Sequence, residues 1–126
     1  MEHKNIMIVE DEVLTAMSIE AIMVQNGYSV CEIVSRGSIA IRKALEKKPD
    51  LLIMDIILKD EVDGISVVKK IHEQMYIPVI YLTASSDPDT FALAERTRFT
   101  YYVNKPFAND DLLQKVKAIL GKNPPA

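Results

Sequence analysis

The sequence predicts a single α/β domain, an open parallel sheet wound by helices on both faces. Three observations carry this. Short apolar runs alternate five times with longer helical patterns along the 126 residues. The short runs are continuously apolar rather than alternating, as strands covered on both faces are. The length suits five strand–helix units, whereas an eight-fold closed barrel needs roughly twice as many residues.

In chain order, Ile6-Met7-Ile8-Val9 is the first strand. A helix follows over Val13 to Asn26, with Leu14, Met17, Ala21 and Val24 at helical spacing and Gly27 as its stop. Tyr28 to Val34, rich in β-branched residues, is the second strand. Ser38 to Lys48 is the second helix: Ile41, Ala44 and Leu45 mark its face, lysines load its last turn and Pro49 lies just beyond. Leu51-Leu52-Ile53-Met54 is the third strand, and Ile65 to Met75 a helix with Val68 and Ile71 inward and Lys69 and Lys70 outward. Pro78 to Thr83 is the fourth strand, and Pro88 to Thr97 a short helix with proline in its first turn. Tyr101-Tyr102-Val103 is the fifth strand. The last helix spans Asp110 to Leu120, with Leu113, Val116, Lys117 and Leu120 along one side and Gly121 as its stop. The domain is thus expected over residues 1–121, with 122–126 as a tail or the start of a linker.

Composition narrows the function. Hydrophobic residues make up 48% and charged residues 26%, which is globular and not disordered. Fifteen Lys+Arg against eighteen Asp+Glu leave a net charge of −3, so no basic field is expected to hold nucleic acid directly. The most apolar stretch, Leu51 to Leu58, is interrupted by Asp55 and is far shorter than the roughly twenty residues of a membrane span. The polar start, Met1-Glu2-His3-Lys4-Asn5, lacks the apolar core of a signal peptide. The lone Cys31 excludes an internal disulfide and a Cys-rich zinc site, and a reducing cytoplasm is the expected compartment. His3 and His72 form no metal pair and are expected at the surface.

In open α/β sheets the chemistry lies beyond the carboxyl ends of the strands. After the first strand stands Glu10-Asp11-Glu12. Acids here suit a helix dipole, and Asp11 alone could be a helix cap. Asp55 is harder to explain by structure alone, because it stands between Met54 and Ile56 in an apolar run and needs compensation there. Thr83 ends the fourth strand and Lys105-Pro106-Phe107 follows the fifth; each alone reads as an ordinary strand or loop residue. If the first and third strands are adjacent, three carboxylates converge and favour a divalent cation. All-oxygen donors suit Mg²⁺ rather than zinc. The Thr83 hydroxyl and the Lys105 ammonium could hold phosphoryl oxygens, and the whole set suits phosphoryl transfer by positioning and charge neutralisation.

From Asn5 to Leu120 the chain resembles the receiver domain of two-component response regulators. The resemblance rests on Ile8-Val9-Glu10-Asp11-Glu12, Met54-Asp55-Ile56, Asp63-Gly64, Leu82-Thr83-Ala84 and Lys105-Pro106-Phe107, in that order and each at a strand end. It implies a flavodoxin-like (βα)5 fold, a doubly wound five-stranded parallel sheet of order 2-1-3-4-5. It implies Asp55 as phosphoacceptor, with Mg²⁺ bound by Asp11, by Asp55, by Glu10 through water, and by the backbone carbonyl of Ile57. It further implies that Thr83 and Lys105 contact the phosphoryl group, that small Ala84 leaves access to it, that Lys105-Pro106 is cis, and that Tyr102 is a switch residue. The implied partners are a histidine kinase or histidine phosphotransfer domain and a downstream output domain or protein. The face of the fourth helix, fifth strand and fifth helix is where two copies could pair. Three features depart from the family pattern: Lys59 in place of a common proline within a loop one residue longer to Gly64, Glu10 in place of the commoner Asp, and Thr97-Arg98-Phe99-Thr100 before the fifth strand.

Two other readings compete. A pseudo-receiver binding partners without phosphorylation is opposed by the intact set Asp11, Asp55, Thr83 and Lys105. An enzyme or cofactor protein is opposed by what the motifs lack. Glu10-Asp11-Glu12 would repel a flavin phosphate, the four glycines form no phosphate-binding loop, and no hydrolase elbow is present. A signalling phosphoacceptor, with no separate small-molecule substrate, is therefore the expectation. The few residues after Leu120 leave no room for a helix-turn-helix. A single-domain regulator or a receiver cut from a longer chain is expected.

Overall fold

The computed structural model describes residues 4–56, 58, 64–83 and 100–121. Its strands are β1 (Asn5–Val9), β2 (Ser29–Val34), β3 (Leu51–Asp55), β4 (Val79–Thr83) and β5 (Thr100–Asn104). They form one sheet of order β2-β1-β3-β4-β5, with every neighbouring pair parallel. The described helices are α1 (Val13–Gln25), α2 (Gly37–Lys47), α3 (Gly64–His72) and the C-terminal helix (Asn109–Leu120). This is the flavodoxin-like order. The expected helix over 88–97, the loop over 59–63 and the stretch 97–99 lie outside the described residues.

Side-chain alternation along the strands divides the interior in two. Met7, Val9, Leu52, Met54, Val79 and Tyr81 point to one side, where Ala40 and Ala44 of α2 and Val67, Val68 and Ile71 of α3 meet them. Ile6, Ile8, Leu51, Ile53, Ile80, Leu82 and Val103 point to the other. There Ala16, Ile19, Ile22 and Met23 of α1 cover them, with Leu112 and Val116 of the C-terminal helix. Both faces being covered is why the strands read as unbroken apolar runs.

Two helical faces differ from expectation. In α1 the inward residues are Ala16, Ile19, Ile22 and Met23, while Leu14, Met17 and Val24 are 76%, 57% and 56% exposed and Ala21 is exposed too. The helix is apolar on nearly every side, so more than one set of residues satisfies helical spacing; only the sheet selects the set that is buried. In the C-terminal helix Leu112 joins Val116 in the core, and Leu113 is only half-buried.

Helix ends follow local rules. The Asn26 side-chain amide donates to the Ile22 carbonyl at 2.7 Å, and the Tyr28 N–H donates back to Met23 at 3.1 Å. Gly27 between them takes the left-handed φ of 88° that this reversal requires. Helix α2 is ended by Lys48 at φ 49°, ahead of Pro49. Buried Tyr28 donates its hydroxyl to the Gly121 carbonyl at 2.9 Å, tying the entry to β2 to the last turn of the chain's final helix. His72, expected at the surface, is half-buried, with Nε2 2.7 Å from the Ile77 carbonyl oxygen.

Candidate functional site

The chain leaves β1 for β2 on one side and returns to β3 on the other, so the strand order reverses between β1 and β3. Such a reversal opens a crevice at the carboxyl edge. The register then decides what stands there. Val9 pairs with Met54, so the next residues, Glu10 and Asp55, stand side by side. Asp55 pairs with Leu82, which brings Thr83 one step beyond. Thr83 pairs with Asn104, so Lys105 follows, and its N–H donates to the Thr83 carbonyl at 2.8 Å. Residues spread over 95 positions of sequence thus meet at one edge because each ends a paired strand, as Asp55 and Thr83 do, or stands one residue beyond it, as Glu10 and Lys105 do.

The carboxylates of Glu10, Asp11 and Asp55 each offer an oxygen within 4.8 Å of the others. Glu10 and Asp55 are buried, at 2% and 6% exposure, and Thr83 at 3%; Asp11 is half-buried. Lys105 reaches in from the rim. Its Nζ donates to Glu10 Oε1 at 2.8 Å and to Asp55 Oδ2 at 3.2 Å. The Lys105-Pro106 bond is cis, as the family resemblance implies. Asp11 does not cap α1: the cap position is Glu12, whose carboxylate accepts from the Thr15 hydroxyl, and no side chain caps the helix.

One cation among three acids leaves negative charge in excess, and the electrostatics show it. Burial, and then the adjoining Asp55 carboxylate, push the Glu10 carboxyl up to about 8 against the pull of Lys105. For Lys105, burial alone would lower the pKa; the hydrogen bond to Glu10 and the charges of Asp55 and Glu10 outweigh it and hold the ammonium above its ordinary range. Glu10 Oε2 is buried with no hydrogen-bond partner among the described residues. A clustered, all-oxygen donor set with an unsatisfied buried carboxylate oxygen fits a hard divalent cation such as Mg²⁺.

Of the expected site residues, the structure brings Glu10, Asp11, Asp55, Thr83 and Lys105 to one edge. Tyr102 lies two residues before Asn104 on β5, with its ring against Tyr81. Ile57 and Ala84 lie outside the described residues. The sequence reading missed the surroundings of the crevice. A groove beside it is lined by Glu12, Thr15, Ser18, Lys105, Phe107 and Asn109. Above its α1 side stand Val13 and Leu14, 68% and 76% exposed. The signal that could have found them is three consecutive turns of apolar residues immediately after the acidic triplet.

Comparison with known proteins agrees with this geometry. Residues 6–117 match the family model described as the response regulator receiver domain. The chain is 32% identical over 120 residues to the response regulator ArlR of Staphylococcus epidermidis, covering 95% of this chain and 54% of that one. It spans about half the length of such curated relatives. The signal receiver domain of a modulated diguanylate cyclase from Desulfovibrio desulfuricans superposes with a TM-score of 0.86 at 30% identity, over 94% of each chain. The receiver domain of a sensor histidine kinase from Pseudomonas aeruginosa, solved with a magnesium ion coordinated in its active site cleft, superposes with a TM-score of 0.84. It is 28% identical, over 96% of this chain and all of that one.

Proposed function

The chain belongs to the response regulator receiver domain family, and on that premise we propose that it is a phosphoacceptor. In this reading it takes a phosphoryl group from a phosphohistidine onto Asp55 and thereby changes what its surface offers to an output partner. The observation that carries the reading is the Asp55 carboxylate itself. It is 6% exposed at the end of the central strand, 3.2 Å from the Lys105 ammonium and beside two further acids.

An Asp55 carboxylate oxygen attacks phosphorus in line. A new P–O bond forms as the P–N bond of phosphohistidine breaks, and the imidazole leaves with the bonding electron pair. Glu10, Asp11 and Asp55, with the Ile57 carbonyl, would hold Mg²⁺. That ion, when bound, supplies charge neutralisation for the phosphoryl oxygens. The coordinated magnesium of the Pseudomonas aeruginosa relative supports this assignment by analogy. Lys105, which donates to Asp55 at 3.2 Å, would pair with a phosphoryl oxygen, and the Thr83 hydroxyl would donate to another. Thr83 and Tyr102 then shift the equilibrium between two conformations, and water later cleaves the acyl phosphate.

The donor is a histidine kinase or a histidine phosphotransfer domain, a protein rather than a metabolite. Exposed Val13, Leu14 and Met17, running from the crevice along α1, give it an apolar surface to rest on. The recipient of the signal is an output domain or protein, and a second copy could pair through the side of the sheet bearing β5. The lone Cys31 and the absence, among the described residues, of any helix fit to cross a membrane agree with a cytoplasmic setting. The test is incubation with Mg²⁺ and a small phosphodonor. Wild type should gain the mass of one phosphoryl group, removable by hydroxylamine, and Asp55→Asn should gain none. Equal acyl phosphate in both proteins would sink the assignment.

A further inference from the structure

Tyr81 and Tyr102 are directly paired across β4 and β5. Their rings lie 6.0 Å apart, centroid to centroid, at an interplanar angle of 20°. That is a stacked arrangement within the range in which aromatic pairs attract beyond their burial. Tyr81 is wholly buried; it lies two residues before Thr83, on the same side of the sheet. Tyr102 is half-buried, and its hydroxyl oxygen is buried as well, so the ring is turned in over the sheet rather than out to solvent.

We infer that Tyr81 is a positioning residue for Tyr102: the cross-strand stack holds the Tyr102 ring inward beside β4. The inference rests on the proposed switch role of Tyr102 and adds what holds its ring inward. Swinging the ring outward must break the stack, and an aromatic pair of this kind biases the rotamer equilibrium roughly two- to tenfold toward the stacked state. A domain whose ring is already inward has less movement left to make when Asp55 is modified. Tyr81 therefore sets how large the response at β5 can be, without touching the phosphoryl group.

The experiment compares wild type, Tyr81→Phe, Tyr81→Leu and Tyr81→Met, with tyrosine rings isotopically labelled. The first measurement uses unmodified protein, and reads the Tyr102 side-chain rotamer from ring-to-β4 nuclear Overhauser effects. Wild type and Tyr81→Phe should show one inward rotamer. Tyr81→Leu and Tyr81→Met, which keep an apolar side chain but lose the ring, should populate a second, outward rotamer several-fold more. The second measurement adds beryllofluoride with Mg²⁺. The Tyr102 resonances should then move further in the two aliphatic variants than in wild type, while phosphorylation of Asp55 stays within about twofold. A single inward rotamer in every folded aliphatic variant, or two rotamers in wild type, would overturn the inference. If beryllofluoride leaves Asp55 and Thr83 unmoved in wild type, the phosphoacceptor reading fails instead, and the rotamer comparison still decides the role of Tyr81.

Discussion

Gly64→Ala is a small perturbation aimed at the joint between the helix α3 and the end of the strand that carries Asp55. A Cβ built on Gly64 would lie 2.2 Å from the Asp55 carbonyl oxygen, 3.0 Å from the Ile56 Cα and 3.0 Å from Met54 Cγ. The first two are backbone atoms and cannot swing aside, so helix and strand must separate by about 1 Å to restore ordinary contact. Overpacking of this kind costs about 1–3 kcal/mol. The Gly64 N–H donates to the Ile56 carbonyl at 2.8 Å, and stretching that bond adds about 1 kcal/mol. Better helix propensity offsets less than about 1 kcal/mol at a first-turn position. The net expectation is a loss of about 2 kcal/mol. Urea unfolding in the presence of a chelator measures it. A second readout is acyl phosphate formation, since moving the Asp55 peptide misplaces the nucleophile, and a displacement of 1 Å costs on the order of a hundredfold in rate. Gly121→Ala is the contrast: nothing lies within 4 Å of a Cβ there, and only its φ of +74° opposes the change. That variant should lose about 1–3 kcal/mol and phosphorylate normally. Stability of Gly64→Ala within about 0.5 kcal/mol of wild type would refute the close-contact argument.

Two further outcomes are expected. Stability of the metal-free protein should fall as pH rises from 4.5 to about 8, because folded Glu10 keeps a proton that the unfolded chain releases. The slope approaches about 1.4 kcal/mol per pH unit in mid-window. Lys105, whose pKa is raised from 10.5, contributes fully throughout that window and loses its contribution only at higher pH. The difference between wild type and Glu10→Gln isolates the Glu10 share, and parallel profiles for the two proteins would contradict it. Mg²⁺ should raise the melting temperature because it binds only the folded state, a stabilisation of about 2.7 kcal/mol at a hundredfold excess over Kd. Asp11→Ala should abolish the shift, and a wild-type melt indifferent to saturating Mg²⁺ would count against the cation site.

The strands and their ends were legible in the sequence because both signals are local. A short apolar run bounded by turn residues, such as Leu51 to Met54 after Pro49-Asp50, suits a strand covered on both faces, and a charged residue that ends such a run marks the edge. The convergence of Glu10, Asp55, Thr83 and Lys105 followed from knowing that edge and the strand order. The inward side of α1 was not legible: with Leu14, Met17 and Val24 as apolar as Ile19, Ile22 and Met23, periodicity holds no information about which side meets the sheet. Nor was the Tyr81–Tyr102 stack, which depends on the register between two strands whose paired residues are 21 positions apart. The unusual Glu10 carboxyl is of the same kind. Its rise comes first from burial and then from the Asp55 carboxylate supplied by β3, against the pull of Lys105, and nothing in Val9-Glu10-Asp11 announces them.

The division of the interior by the sheet has an evolutionary corollary. Ile53 and Met54 are adjacent in sequence, yet one packs under α1 and the C-terminal helix and the other under α2 and α3. Substitutions at such neighbours should accumulate nearly independently, while compensating changes should be sought across a layer, from Ile53 to Ile19 or from Met54 to Val67. Each layer can drift toward its own solution so long as the strand between them keeps its place. The crevice residues have no such freedom, since they stand at the rim where both layers end. A lineage could thus rebuild the side that speaks to one partner and leave the opposite side, with its separate obligations, untouched.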